Sequence, residues 1–295
     1  MTIKPLSFPL TGSLVLLLSL TALLPFRAEA QLTREPARSE QPVESHFLAP
    51  THIGLPTVYQ IAAKNLNSSV KHTFGLVSGG VDHFYGLDDG ANTRLGIDYG
   101  LNQWLSVGIG RMTFNKVVDL RSQISIFQQT REGAPVDLAM HISSGISTLS
   151  GTGMSFPDRQ SWLATLMIAK TVHRLSVQIA PMAGTIHARN GEEKPLLLGA
   201  GILGAWQLSD RYTIGIEYLP RFGDRPAGTS NPMAISLNID TGGHLFQLFL
   251  SSSQWHNAPY MMANNSDRFW EGDFRFGFNI NRLFGLQRPS AGTSP

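Results

Sequence analysis

The chain has no cysteine, which excludes a disulfide framework, thiolate catalysis and thiolate metal sites. Charged residues make up 15% of its 295 positions, where soluble domains usually carry roughly a quarter. The formal net charge of +2 is too small to point to a nucleic-acid partner. Long apolar runs are missing too. No stretch after Leu24 reaches the roughly 20 residues of a helical membrane span, so any later membrane crossing has to be made by strands.

The one apolar run lies at the start. Lys4 supplies a positive n-region, Leu10 to Leu24 an apolar run broken by Thr11, Gly12 and Ser13, and Ala28-Glu29-Ala30 a small-residue cleavage site. This predicts a cleaved secretory signal over residues 1–30. Gln31 to Ser45 is polar, carries Pro36 and Pro42, and reads as a linker. Phe47 to Leu66 is more apolar without a sustained period, which suggests an arm in or under the mouth of a barrel. The layout is then a signal (1–30), a linker and arm (31–67), a barrel (68–286) and a tail (287–295).

The remaining chain is rich in glycine, 29 residues in all, and alternates with a period of two. From Arg94 to Tyr99, Leu95, Ile97 and Tyr99 fall on one face and Arg94, Gly96 and Asp98 on the other. After a short turn, Leu105, Val107 and Ile109 alternate with Ser106, Gly108 and Gly110. A hairpin with one aliphatic face and one charged, glycine-bearing face suits a wall between lipid and water. Similar runs recur from Val70 to Leu76, Val118 to Ile126, Val136 to Ser143, Trp162 to Ile168, Arg174 to Ile179, Leu196 to Trp206, Tyr212 to Tyr218, Met233 to Asp240, His244 to Ser251 and Phe274 to Asn281. The sixth run is less polar on its second face, and the eighth is apolar and glycine-rich on both. The count is about twelve strands, and single-chain bacterial barrels use an even number.

Short and long connections alternate. Tight turns are predicted at Gly100–Gln103, Arg131–Ala134, Val172–His173, Leu208–Arg211 and Asp240–Gly243. Longer loops separate them, apart from a short link around Thr113–Asn115. Outer-membrane barrels sort their periplasmic turns and extracellular loops in this way. Both chain ends then fall on the periplasmic side, and backbone satisfaction requires the last strand to pair with the first. Tyr99, Trp206 and Tyr212 at the turns, with Trp162, Tyr218 and Phe274 at the loops, form two aromatic girdles.

His72-Thr73-Phe74-Gly75, Tyr85-Gly86-Leu87-Asp88, Ala91 to Leu101, Val107 to Arg111 and Asn115-Lys116 resemble an uncharacterised outer-membrane β-barrel family of unknown function. The resemblance covers most of the chain after Thr51. It departs at Thr73, where an arginine is usual, and at Val117-Val118-Asp119, which replaces a more aromatic version. It implies the fold and an outer-membrane address, and it supplies no catalytic residues.

Alternation turns a mixed charge set inward: Lys71, Arg94, Asp98, Asp119, Arg121, Asp137, His141, Arg174, Glu217, Asp240 and Arg275. These residues line a lumen that either passes small polar solutes or is plugged by its own salt bridges. The first reading is a passive or weakly selective pore, in contact with lipid and needing no cofactor. The alternative is a non-conducting barrel whose loops bind a partner or ligand. A third reading, an outer-membrane hydrolase, rests on His141 and Ser143. Their His-x-Ser spacing resembles that of outer-membrane phospholipases, but Ser144-Gly145-Ile146 does not continue the pattern, and the pair points away from lipid. No enzyme is expected. Asp82, His83, Asp88 and Asp89 in the first loop lack the spacing of a calcium loop and read as turn residues, so no metal site is assigned. The last loop, Ser252 to Gly272, concentrates Trp255, His256, Tyr260, Met261, Met262, Phe269 and Trp270, which favours a lid folded inward.

Overall fold

The computed structural model describes residues 41–150, 153–187, 194–224 and 227–285. The expected signal at 1–30, the start of the linker (31–40) and the tail at 287–295 lie outside the described residues.

One antiparallel sheet runs through β1 (Asn65–Leu76), β2 (Asn92–Gly100), β3 (Leu105–Met112), β4 (Val117–Phe127), β5 (Asp137–Ser147), β6 (Gln160–Val172), β7 (Leu175–Thr185), β8 (Leu196–Gln207), β9 (Tyr212–Tyr218), β10 (Arg221–Phe222), β11 (Met233–Asp240), β12 (His244–Ser251) and β13 (Arg275–Gly285). β10 continues β9 beyond Leu219-Pro220, because both pair with β8. Pro220 has no N–H to donate, which interrupts the ladder there. The wall therefore has twelve strands. It closes where β1 meets β13, with Asn65 opposite Gly285 and Val70 opposite Ile280. Closure leaves no sheet edge in need of partners.

The period of two decides which side chains face out. Leu95 is 56% exposed, Leu120 59% and Ile179 59%, while the inward Arg94 is 3% and Asp119 4% exposed. Exposed aliphatics around buried charges are stable only where the surroundings are apolar, which makes the outer surface a lipid belt. Trp206 and Tyr212 stand outward near the short turns, and Trp162 stands outward near the long loops.

Connections 101–104, 173–174, 208–211 and 241–243 share one end of the barrel. Connection 128–136 shares it too, and here the expectation of a tight turn at Arg131–Ala134 needs correction. The turn forms, with Thr130 N–H donating to Ala134 O at 3.0 Å, but the strands do not run into it. Pro42 bridges to Thr130, and Val43 N–H donates to Gln129 O at 2.8 Å. The incoming chain thus takes the pairing that would have extended the β4–β5 ladder.

β6, β7 and β8 carry large apolar side chains inside as well as outside. Leu163, Met167, Met182, Leu197 and Leu203 are buried in the lumen. An empty aqueous channel gives such a face nothing to pack on, so something must fill it.

Candidate functional site

Residues 42–64 fill it. The segment enters at the short-turn end, where His46 N–H donates to Ser176 Oγ at 2.9 Å. It rises to an apex at Thr51–Pro56, closed by His52 N–H to Leu55 O at 2.9 Å and Thr57 N–H to Pro50 O at 3.0 Å. It then descends, and Lys64 N–H reaches Gly100 O at 2.8 Å beside the β2–β3 turn. The arm is re-entrant, entering and leaving by the same end. Phe47, Leu55 and Val58 join one cluster with Leu163, Met167, Leu197 and Leu203, which accounts for the apolar inner wall.

Polar groups hold the apex. The Glu217 carboxylate accepts N–H bonds from Ile53 (3.0 Å), Gly54 (3.1 Å) and Leu55 (3.1 Å). Lys71 Nζ donates to Thr51 Oγ1 at 2.7 Å and to Ile53 O at 3.0 Å, and Asn279 Nδ2 donates to the same carbonyl at 3.0 Å. Lower down, Gln178 accepts from Val58 N–H (2.9 Å) and donates to Pro56 O (2.8 Å), and Gln123 donates to Tyr59 O at 2.9 Å. A buried backbone needs partners for its peptide groups, and here wall side chains supply them. A charge-assisted bond is worth roughly 1.5–3 kcal/mol. Desolvating Glu217 and Lys71 offsets much of that gain.

Beside the arm, Arg94, Asp98, Asp119 and Arg121 form a closed network. Arg94 Nη2 lies 2.6 Å from Asp119 Oδ1, Arg121 Nη1 lies 2.9 Å from the same oxygen, and Arg121 Nη2 lies 2.5 Å from Asp98 Oδ1. His141 is buried next to it, and its Nδ1 has no hydrogen-bond partner among the described residues. Clefts of about 20 and 40 Å³ remain between the arm and this wall, room for about one water and about three waters respectively.

The remaining lumen candidates lie elsewhere. Asp137 accepts the Gln129 N–H at 2.9 Å near the short-turn end. Asp240 is half-buried at that end and accepts from Gly242 N–H at 2.7 Å. Arg275 pairs with Asp267 at 2.7 Å at the long-loop end. Arg174 is a correction. It sits in the two-residue β6–β7 turn, is exposed, and donates to Leu208 O at 3.3 Å. The strand begins only at Leu175, so alternation does not govern Arg174.

The last loop folds inward as its aromatic content suggests. Its helix α1 (Ala258–Asn264) buries Tyr260, Met261 and Met262. A Cβ on Gly54 would stand 2.9 Å from Met261 Sδ and 3.2 Å from Glu217 Oε1, so the lid meets the apex of the arm. His256 hydrogen-bonds Asn92 O at 2.8 Å, and burial pushes its pKa down to about 3. Trp270 stays outside the lid at 81% exposure. In the first loop His83 Nδ1 lies 2.6 Å from Asp89 Oδ1, which raises the His83 pKa.

Sequence reasoning missed Gln123, Gln178 and Asn279 as partners of the arm, although alternation already placed all three inward. It also missed Gly215, where a Cβ would fall 2.3 Å from His52 Nε2. An inward glycine on a wall strand was the available signal.

A closed twelve-stranded barrel with a lipid-facing belt defines an outer-membrane β-barrel protein. The chain belongs to the family described as membrane bound beta barrel domain (DUF5777), whose model matches residues 47–284. The match begins at Phe47 and so takes in most of the arm as well as the wall. Curated proteins include no match to the sequence. Among solved structures the chain is similar to the NanC porin, at 10% identity and TM-score 0.49, over 75% of this chain and 100% of that one. It is also similar to an outer membrane channel from Pseudomonas putida F1 (10% identity, TM-score 0.46, 77% and 97% covered). The KdgM porin follows at 11% identity and TM-score 0.43, with 76% and 99% covered.

Proposed function

We propose that the protein is a small-solute channel of the outer membrane, held shut by its own residues 42–64, with the short-turn end facing the periplasm. The observation that carries this reading is the re-entrant path of the arm. A segment that enters and leaves by one mouth withdraws without threading through the barrel, and its apex is held by hydrogen bonds that water can replace. The lid made by the last loop rests on the apex of the arm, so loosening the arm frees the lid as well. We read the protein as non-enzymatic. His141 and Ser143 point into the filled lumen, and no hydrogen bond joins them among the described residues.

The test is single-channel recording in planar bilayers. The wild-type chain is expected to be mostly closed, and Glu217→Gln or Lys71→Met to open far more often. Silence from all three, with folded barrels shown by heat-dependent gel mobility, would favour the second reading. That reading is a non-conducting barrel whose loops bind a ligand, and it draws support from the exposed Val81, Phe84, Tyr85 and Trp270.

A further inference from the structure

We propose that the wall around Lys71 and Glu217 is a binding site for short turn-forming peptides, occupied in this structure by the protein's own Ile53–Tyr59 segment acting as an internal ligand. The inference deepens the channel reading, on which it rests, by naming the class of solute.

The wall reads main chain. Glu217 takes the N–H groups of three successive residues, Ile53, Gly54 and Leu55. Lys71 and Asn279 take Ile53 O, Gln178 takes Pro56 O and Val58 N–H, and Gln123 takes Tyr59 O. Wall groups thus meet the backbone of six of these seven residues, while Leu55 O and Thr57 N–H bond within the arm's own turn. A sugar or an aliphatic acid does not present such a series of peptide groups.

The state of the two charges supports a ligand site over a purely structural one. Arg94, Asp98, Asp119 and Arg121 satisfy one another. Lys71 and Glu217 both touch residue 53, yet among the described residues neither forms an ion pair with any side chain. Both engage peptide groups. When the arm leaves, water takes its place at the ammonium and carboxylate, and a second peptide displaces that water.

Side-chain selection is built in at two positions. Gly54 is confined by Met261 and by Glu217 itself, and Leu55 is fully buried against Gly201 and Leu203, with a Cβ at Gly201 falling 2.9 Å from Leu55 Cδ1. The site therefore favours a glycine followed by a leucine-sized residue.

The experiment uses the full chain carrying Gly54→Val, whose side chain cannot fit beside Met261, so that the tethered segment no longer outcompetes a free one. The probe is a fluorescent peptide with the sequence of residues 51–59, added to protein reconstituted in lipid nanodiscs. Saturable binding is expected. It should weaken about tenfold or more when Glu217→Gln is added, and equally when the peptide is N-methylated at its third to fifth residues. Leu55→Asp, which expels the arm by burying a charge, is the second background. Absence of binding in both backgrounds, with folding shown, or equal binding of methylated and unmethylated peptide, overturns the proposal. The readout needs no current. A Gly54→Val protein that binds peptide but never conducts refutes the channel reading and keeps the site, whereas one that conducts without binding peptide refutes the site.

Discussion

Glu217 and Gly54 are 163 residues apart in the chain, yet both Glu217 carboxylate oxygens lie 3.1 Å from the Gly54 amide nitrogen. This contact ties the wall to the apex of the segment that fills the lumen. It also explains a glycine at position 54, because a side chain there would press on its own partner.

The same fit appears at the other side of the apex, between His52 and Gly215. Gly215→Ala puts a methyl group into the space of His52 Nε2 and of Ser236 Oγ, so both side chains must shift. The expected cost is about 1–3 kcal/mol of stability, with a higher open probability in bilayers. An alanine variant as stable and as closed as wild type would mean that His52 does not anchor the arm.

The charged network makes an asymmetric prediction. Asp119 accepts from both Arg94 and Arg121, whereas among the described residues Asp98 forms an ion pair with Arg121 only. Removing one partner of a buried pair costs about 3–5 kcal/mol, so Asp119→Asn should destabilise the barrel more than Asp98→Asn in denaturant unfolding from lipid vesicles. Equal losses would contradict the shared role of Asp119.

His256 predicts an acid-sensitive lid. Burial, aided by Lys71, Arg94 and His72, lowers its folded pKa from the unfolded 6.5 to about 3, against the opposing effect of its hydrogen bond to Asn92 O. Above pH 6.5 both states are neutral, and the histidine adds no pH dependence. As the pH falls from 6.5 towards 3, only the unfolded state takes up the proton, so stability drops by up to about 1.4 kcal/mol per pH unit. Unfolding between pH 7 and 4 should therefore be flatter for His256→Gln than for wild type. Parallel curves would place the source of acid sensitivity elsewhere.

Orientation is tested with cysteines, which the native chain lacks. Ser266 in the last loop and Ser209 in the β8–β9 turn are both exposed and lie at opposite ends of the barrel. In whole cells an impermeant thiol reagent should label Ser266→Cys and spare Ser209→Cys. The reverse result would invert the topology and place the mouth of the arm outside the cell.

Local pattern was enough to determine the wall. Strict alternation such as Leu95-Gly96-Ile97-Asp98-Tyr99 assigns each residue a face, and unpaired strand edges cannot persist in lipid, so a closed barrel of about twelve strands follows from the chain itself. The state of the lumen did not follow. Residues 47–66 carry no period because each lies against a different part of the wall, and their partners, Glu217 and Asn279 among them, stand far away in sequence. A mixed set of inward charges reads equally as a solute path or as a seal. Only the tertiary structure brings Ile53–Leu55 against Glu217 and Leu55 against β8, because such contacts depend on the distance across the barrel and not on neighbours along the chain. Arg174 shows the same limit at small scale. One residue before its strand begins, alternation no longer holds, and the side chain stays outside the lumen.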